Sequence, residues 1–232
     1  MTYPLDIILI SDIHSNLEAL EAISADIPNL PIYCIGDFVG YGANPKEVIQ
    51  WAKEKKVNAV LGNHDYATIT GDVKWFHDIA ASAINWTSKQ IGSTEKKFLS
   101  SFPKINIVKL NKLNMLMVHG SPTDNLFEYV HPATHEHLFN GYLEKHKVDI
   151  VVLGHTHIPF IWKGKNGTVI NPGSVGQPRS RNTEAQYVIL KEKNGNIEAL
   201  SKAVSYDVET AAEKIKNAEL PVFLADRLFK GI

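Results

Sequence analysis

One cysteine in 232 residues leaves no partner for an internal disulfide, so nothing here calls for an oxidising compartment. Cys34 lies inside the apolar run Ile32-Tyr33-Cys34-Ile35 and reads as a small core residue. Long hydrophobic runs are also missing. The longest near the start, Ile7-Ile8-Leu9-Ile10, is too short for a membrane span or a signal-peptide core. Without an export signal the expected location is the cytoplasm. An excess of either charge is absent as well: 24 Lys and Arg against 25 Asp and Glu give a formal net charge of −1. That balance argues against nucleic acid as a structural partner, and no basic amphipathic run argues for a membrane surface. No repeat, low-complexity stretch or Gly/Ser/Pro-rich linker divides the chain, so residues 1–232 are expected to form a single domain. The sequence leaves a homo-oligomer open.

What is present is a regular alternation of β-branched runs and helical patterns. Leu5–Ile10 reads as a buried strand, followed by a helix over about Asn16–Ala25 with Leu17, Leu20 and Ile23 on one face. Ile32–Ile35 is a second strand, Pro45 opens a second helix through about Lys55, and Val57–Leu61 is a third strand. This β-α-β-α-β order predicts a parallel sheet with right-handed crossovers. Residues 66–101 are largely helical, with Trp75, Phe76, Ile79, Ala83 and Trp86 as an apolar set. Ile105–Leu110 and Leu113–His119 form a hairpin about Asn111-Lys112, and a helix covers about Ala133–His146. Strands are expected at Val148–Leu153, Ile158–Trp162, Thr168–Asn171, Tyr187–Lys191 and Ile197–Ala203, which makes the second half look antiparallel. A helix over Val208–Asn217 and a short one from Pro221 close the chain. Parallel units followed by antiparallel strands suggest two sheets packed face to face with helices outside.

The chemistry is carried by where Asp, Asn and His fall. Of ten histidines, five follow directly on predicted strands, and carboxyl ends of strands are where α/β sheets assemble sites. The segments are Asp12-Ile13-His14, Gly36-Asp37, Gly62-Asn63-His64-Asp65, Val118-His119-Gly120 and Gly154-His155-Thr156-His157. Asp12 and His14, two apart on extended backbone, would project to one side and share a cation. The two oxygens of Asp37 are suited to bridge two cations, and Asn63 offers a neutral amide oxygen. A set of N and O donors without thiolate suits Mn²⁺, Fe²⁺ or Zn²⁺ better than Ca²⁺. Two divalent ions less the charges of Asp12 and Asp37 leave a site charge of about +2, matched by one hydroxide and one phosphodiester anion. His64 is placed to act as acid and Asp65 to orient it.

These five segments closely resemble the calcineurin-like metallophosphoesterase superfamily. Ile170-Asn171-Pro172-Gly173-Ser174-Val175-Gly176-Gln177-Pro178-Arg179 and Gly36-Asp37-Phe38-Val39-Gly40-Tyr41-Gly42 are similar to its compact bacterial and archaeal branch of small phosphodiesterases. The resemblance covers roughly three quarters of the chain and leaves out the C-terminal segment. It implies an α/β fold, a four-layer α/β/β/α sandwich of two mixed sheets flanked by helices. It also implies one metal held by Asp12, His14, Asp37 and His157, a second held by Asp37, Asn63, His119 and His155, and His64 as catalytic histidine. Manganese is the first expectation, with iron, nickel, cobalt or zinc as other occupants. Two departures stand out: Ser15 where glycine is frequent, and Glu184 where many relatives carry a second arginine, leaving Arg179 and Arg181 for phosphate.

The function expected is a two-metal phosphodiesterase that hydrolyses small phosphate esters by attack of a metal-bridging hydroxide. A phosphomonoesterase or a dinucleoside polyphosphate hydrolase is the alternative, and a non-catalytic scaffold such as the retromer subunit of this fold a third. Arg179 and Tyr41 are candidates for binding substrate. The Asn171–Gly176 turn is a candidate anion-binding concavity or simply a tight turn. His131, His135 and His137 read as a fortuitous surface cluster, and Trp51, Trp75, Trp86 and Trp162 as packing rather than a base-stacking platform.

Overall fold

The computed structural model describes residues 6–193 and 196–232. Leu5, placed in the first strand on sequence grounds, lies outside them. The first sheet is built from β1 (Asp6–Ile10), β2 (Ile32–Cys34), β3 (Asn58–Ala59), β9 (Ala185–Lys193) and β10 (Asn196–Val204), in the order β10-β9-β1-β2-β3. β1, β2 and β3 are parallel, as the β-α-β-α-β pattern requires, and β9 and β10 extend the sheet antiparallel. The second sheet contains β4 (Ile105–Leu110), β5 (Leu113–Val118), β6 (Ile150–Val152), β7 (Phe160–Gly164) and β8 (Gly167–Asn171), in the order β4-β5-β6-β8-β7. Both are mixed five-stranded sheets flanked by helices, the expected sandwich.

The expectation of an antiparallel second half needs correction. β5, β6 and β8 pair in parallel, and only the outer β4 and β7 are antiparallel to their neighbours. β6 is buried along its whole length and covered on both faces, as a central parallel strand requires. β9 and β10 do not continue this sheet but return to the first.

Period-two alternation assigns each strand residue to one side of its sheet. On β1, Ile7 and Leu9 join Tyr33, Ile35, Met115, Met117, Ile150, Val152 and Ile170 in the core between the sheets. Ile8 and Ile10, with Cys34, face the other way onto α1 (Leu17–Asp26) and α2 (Pro45–Glu54), where Leu20, Ile23, Val48 and Ile49 cover them. Cys34 is thus a buried core residue, as read. On the far side Leu116, Val118, Val151 and Val169 pack on Phe139 and Leu143 of α6 (Glu136–His146). Asn16 caps α1 by accepting from Ala19 N at 3.1 Å, and Pro45 sits in the first turn of α2.

The helical middle divides into α3 (Asn63–Thr70), α4 (Asp78–Gln90) and α5 (Ser93–Ser100). Trp75 lies in the loop between α3 and α4 and is 79% exposed, so it does not belong to the apolar set in which it was placed. A helical period was read through a segment that turns at Gly71, whose left-handed φ of 76° ends α3. His131, His135 and His137 are exposed, as expected, although α6 starts only at Glu136. The chain ends with α7 (Val208–Asn217) and α8 (Val222–Asp226).

Leu9 is fully buried between the sheets, at the centre of the layer that joins them. Leu9→Ala is expected to lower unfolding free energy by about 2–5 kcal/mol in a denaturant titration, because the cavity is walled by strands that cannot collapse into it.

Candidate metal centre

The five segments converge on one spot at the carboxyl ends of the strands. Asp12, His14, Asp37, Asn63, His119, His155 and His157 are all buried there. His14 Nε2 lies 3.1 Å from His157 Nε2, 3.7 Å from Asp12 Oδ1 and 3.6 Å from Asp37 Oδ2. His157 Nε2 is 3.2 Å from Asp12 Oδ1, and His119 Nε2 is 3.3 Å from Asp37 Oδ2 and 3.0 Å from Asn63 Oδ1. Metal–ligand bonds of about 2.1 Å set ligand atoms about 3.0–3.4 Å apart around one ion; four of these separations fall in that range, and the two from His14 to the carboxylates are slightly longer. His155 differs: its ring sits 5.0 Å from that of His119, and its Nε2 is 3.2 Å from Phe127 O, which leaves Nδ1 for the cluster.

Two observations test whether these residues fit a cation. First, each carboxylate uses one oxygen on the protein and leaves the other bare. Asp12 Oδ2 accepts from Ser11 Oγ at 2.5 Å and from His155 N at 3.2 Å, and Asp37 Oδ1 accepts from His64 N at 2.9 Å. Asp12 Oδ1 and Asp37 Oδ2, both buried, have no hydrogen-bond partner. Such atoms are costly to bury unless a positive charge answers them. Second, His14, His119 and His157 place Nδ1 at 3.1, 2.6 and 2.6 Å from the carbonyls of Val39, Ile35 and Gln177. Nδ1–H donates there, so the Nε2 lone pair is turned inward as a ligand. The residues fit a divalent cation.

Local backbone strain accompanies this convergence. Asp12, His14, Asp37, His155 and His157 all have φ between 49° and 66°, so five of the seven candidate ligands are left-handed. Asp and His tolerate that region better than most residues, and such strain gathers at functional sites. This corrects the extended geometry assumed for Asp12-x-His14: the two side chains meet by a backward turn, not by strand alternation. Ser15 shares the conformation, at φ 54°, which explains why glycine suits that position. At Gly62 the reason for glycine is space, since a Cβ would collide with Asp37 Oδ1.

The Asn171–Gly176 turn is not an anion-binding concavity. Gly173 N donates to Asn171 Oδ1, Val175 N to Ser11 O and Gly176 N to Asp12 O, so its N–H groups are spent inside the protein. Ser174 Oγ also donates to Asp12 O at 2.7 Å, and Asn171 Nδ2 donates to Gly154 O at 2.8 Å. The turn is therefore a clamp that holds the Asp12 and His155 loops in their strained shapes. Asp65 needs a similar correction. Its carboxylate accepts from Val39 N and Gly62 N, both at 3.2 Å, while His64 Nδ1 has no partner. It braces the backbone that carries Asn63 and His64, and it does not orient the imidazole.

Burial pushes His14, His64 and His157 well below the ordinary histidine pKa. Burial, reinforced by His119, takes His155 down to about 3. Burial disfavours charge on His119 too, but Asp37 and Asp12 outweigh it and hold its pKa up at about 9. Burial raises Asp65 to about 7, with Asp37 adding to the effect. Most of the histidines are thus neutral near pH 7, the form in which imidazole ligates metal.

A model of the calcineurin-like phosphoesterase superfamily domain matches residues 5–195. The chain belongs to this superfamily. It is 39% identical to an uncharacterized protein of Methanocaldococcus jannaschii, over 97% of this chain and 98% of that one. The crystal structure of a metallophosphoesterase from Sphaerobacter thermophilus superposes with a TM-score of 0.85 at 28% identity, covering 99% of this chain and 100% of that one. A hypothetical protein from Pyrococcus horikoshii shares the fold, with a TM-score of 0.86 at 22% identity over 98% of each chain. These matches take in the C-terminal segment that the motif resemblance left aside. Membership implies divalent metal ions, and the Asp/His cluster supplies candidate residues to hold them. Among the described residues no helix is long and apolar enough to cross a membrane.

The superfamily motifs did not disclose everything around the cluster. His64 comes within metal-ligand range of His14 and Asp37, and its ring stacks edge-on to that of His14 at 4.8 Å. Arg179 and Tyr41 do meet, with the guanidinium 5.9 Å from the ring centroid. Arg181 and Glu184 do not line the cleft over the cluster; Arg227, from the turn after α8, does. No motif marked Arg227, and only the fold brings it there.

Chelation of divalent ions is expected to lower the melting temperature, since Asp12 Oδ1 and Asp37 Oδ2 are then left unanswered. Adding Mn²⁺ at a hundredfold over its dissociation constant should restore about 2.7 kcal/mol. Asp37→Asn should abolish most of that gain, and a melting curve indifferent to Mn²⁺ would contradict the assignment.

Proposed function

We propose that the protein is a phosphodiesterase that works with two divalent ions, manganese foremost. The observation that carries this reading is the pair of bare, buried carboxylate oxygens, Asp12 Oδ1 and Asp37 Oδ2, each flanked by histidine Nε2 atoms. Asp12, His14 and His157 would hold one ion and Asn63, His119 and His155 the other, with Asp37 between them. Asp37 Oδ1 is engaged by His64 N, which leaves Oδ2, between His14 and His119, as the oxygen that would face the ions. Ions in this position supply Lewis acidity and a water nucleophile at neutral pH.

The protein's own groups do the rest. His64 opens onto the cleft beside this cluster; neutral in the free protein, its imidazole would gain a proton as the anionic substrate binds and pass it to the leaving oxygen. Arg179, whose buried Nε has no partner, is available to the substrate's phosphate oxygens. Asp65 keeps Gly62 and Val39 fixed, and thereby the position of Asn63 and His64. Preference for diesters over monoesters rests on the site charge of about +2, which one hydroxide and one singly charged ester would offset. The intact cluster and the exposed approach to His64 favour an enzyme over a binding scaffold.

Metal-stripped protein incubated with Mn²⁺ should hydrolyse bis-(p-nitrophenyl) phosphate faster than p-nitrophenyl phosphate. His64→Ala should lower the rate by about 10²–10⁴, and Asp37→Asn should bring it to background. A higher rate on the monoester would reverse the diester assignment, and turnover indifferent to His64 would remove it as the proton donor.

A further inference from the structure

Over the metal cluster opens a cleft of about 560 Å³ whose floor includes Asn63, His64 and His155. Its walls are of two unlike kinds. One wall is aromatic. Trp75, Phe76 and Phe127 form a continuous chain, with ring centroids 6.4 Å apart for Trp75–Phe127 and 6.1 Å for Phe76–Phe127. Phe76 continues it to His64 at 5.0 Å, so this wall starts at the cluster and runs outward. At its outer end Trp75 is 79% exposed. An indole is among the largest apolar faces a protein owns, and here it carries the aromatic wall of the cleft out into solvent.

The other wall is cationic. Arg179 and Arg227 approach the same ring, their guanidinium carbons 5.9 and 6.0 Å from the centroid of Tyr41. Arg179 donates from Nη2 to Gln177 Oε1 at 2.9 Å, and its Nε is buried without a partner. Arg227 donates from Nε to Ile232 O at 2.5 Å. Among the described residues neither pairs with an Asp or Glu carboxylate. Two half-buried guanidinium groups side by side repel each other, and burial together with Arg179 pushes the pKa of Arg227 down to about 10. An anion with several oxygens would relieve both, and the planar fork of arginine matches phosphate.

We propose that the cleft is built for a nucleotide, with the reacting phosphate at the Asp/His cluster, a second phosphate on the Arg179–Arg227 pair and the base against the Trp75 face. The inference rests on the phosphoesterase reading for the position of the reacting phosphate. It also gives the C-terminal segment a task, since α8 leads directly into Arg227. The arginine missing at Glu184 is thereby replaced from a distant part of the chain.

The test compares ligands that differ by one part each. Full-length, Mn²⁺-loaded protein carrying His64→Ala, to keep the ligands intact, is titrated calorimetrically with ADP, AMP and pyrophosphate. ADP should bind about tenfold more tightly than AMP, for its second phosphate, and about tenfold more tightly than pyrophosphate, for its base. Adding Trp75→Ala should erase the ADP-to-pyrophosphate preference; adding Arg227→Gln should erase the ADP-to-AMP preference, which Arg227→Lys should partly restore. Thermal melts verify that each variant is folded. If ADP shows neither preference, or either preference survives its substitution, the inference is overturned. Metal-dependent hydrolysis of bis-(p-nitrophenyl) phosphate by the wild type, measured alongside, reports on the phosphoesterase reading by itself. That reading would stand if only the binding ratios failed.

Discussion

Two negative charges buried beneath a cleft organise this molecule. Asp12 and Asp37 stand at the ends of neighbouring parallel strands, both fully enclosed, each with one oxygen tied to the protein and one left bare. Burying unanswered carboxylates is among the most expensive things a fold can do. Nearly every nearby feature follows from that cost. The carbonyls of Val39, Ile35 and Gln177 turn three imidazoles inward, and left-handed backbone at five ligand positions aims them at one point. The Asn171–Gly176 clamp then holds the strained loops in place. Positive charge is what this arrangement is shaped to receive.

The sandwich makes that convergence affordable. β1, β2 and β3 in one sheet, and β5, β6 and β8 in the other, are short parallel strands whose carboxyl ends open at the same edge. A layer of Leu9, Ile35, Met117, Val152 and Ile170 locks the two sheets face to face. Residues remote in sequence, such as His14 and His157, can then meet at 3.1 Å on a rigid base.

The parts legible in the sequence were those with a short repeat or a local motif. Alternation placed the strands, and a chemistry-bearing residue behind each of five of them marked the cluster. What escaped notice depended on long-range geometry. The parallel pairing of β6 with β8 depends on which neighbour a strand finds, and its own residues do not say. Asp12 and His14 looked extended because nothing local declares a left-handed turn at an aspartate. Asp65 looked like the partner of His64 because they are adjacent, whereas its oxygens reach back to Val39 and Gly62. Trp75 fitted a helical period that Gly71 interrupts, and Arg227 carried no motif at all. Both lie on the cleft walls, where substrate choice is made by segments that the metal-binding pattern does not constrain.

The central proposal is that the cluster around Asp37 would hold two divalent ions on either side of that carboxylate. Crystals grown with Mn²⁺ and measured at the manganese absorption edge test it most directly. The account predicts two anomalous peaks about 3.5–4 Å apart, one beside Asp12, His14 and His157, the other beside Asn63, His119 and His155, with Asp37 Oδ2 between them. A single peak, or manganese bound away from Asp37, would contradict it.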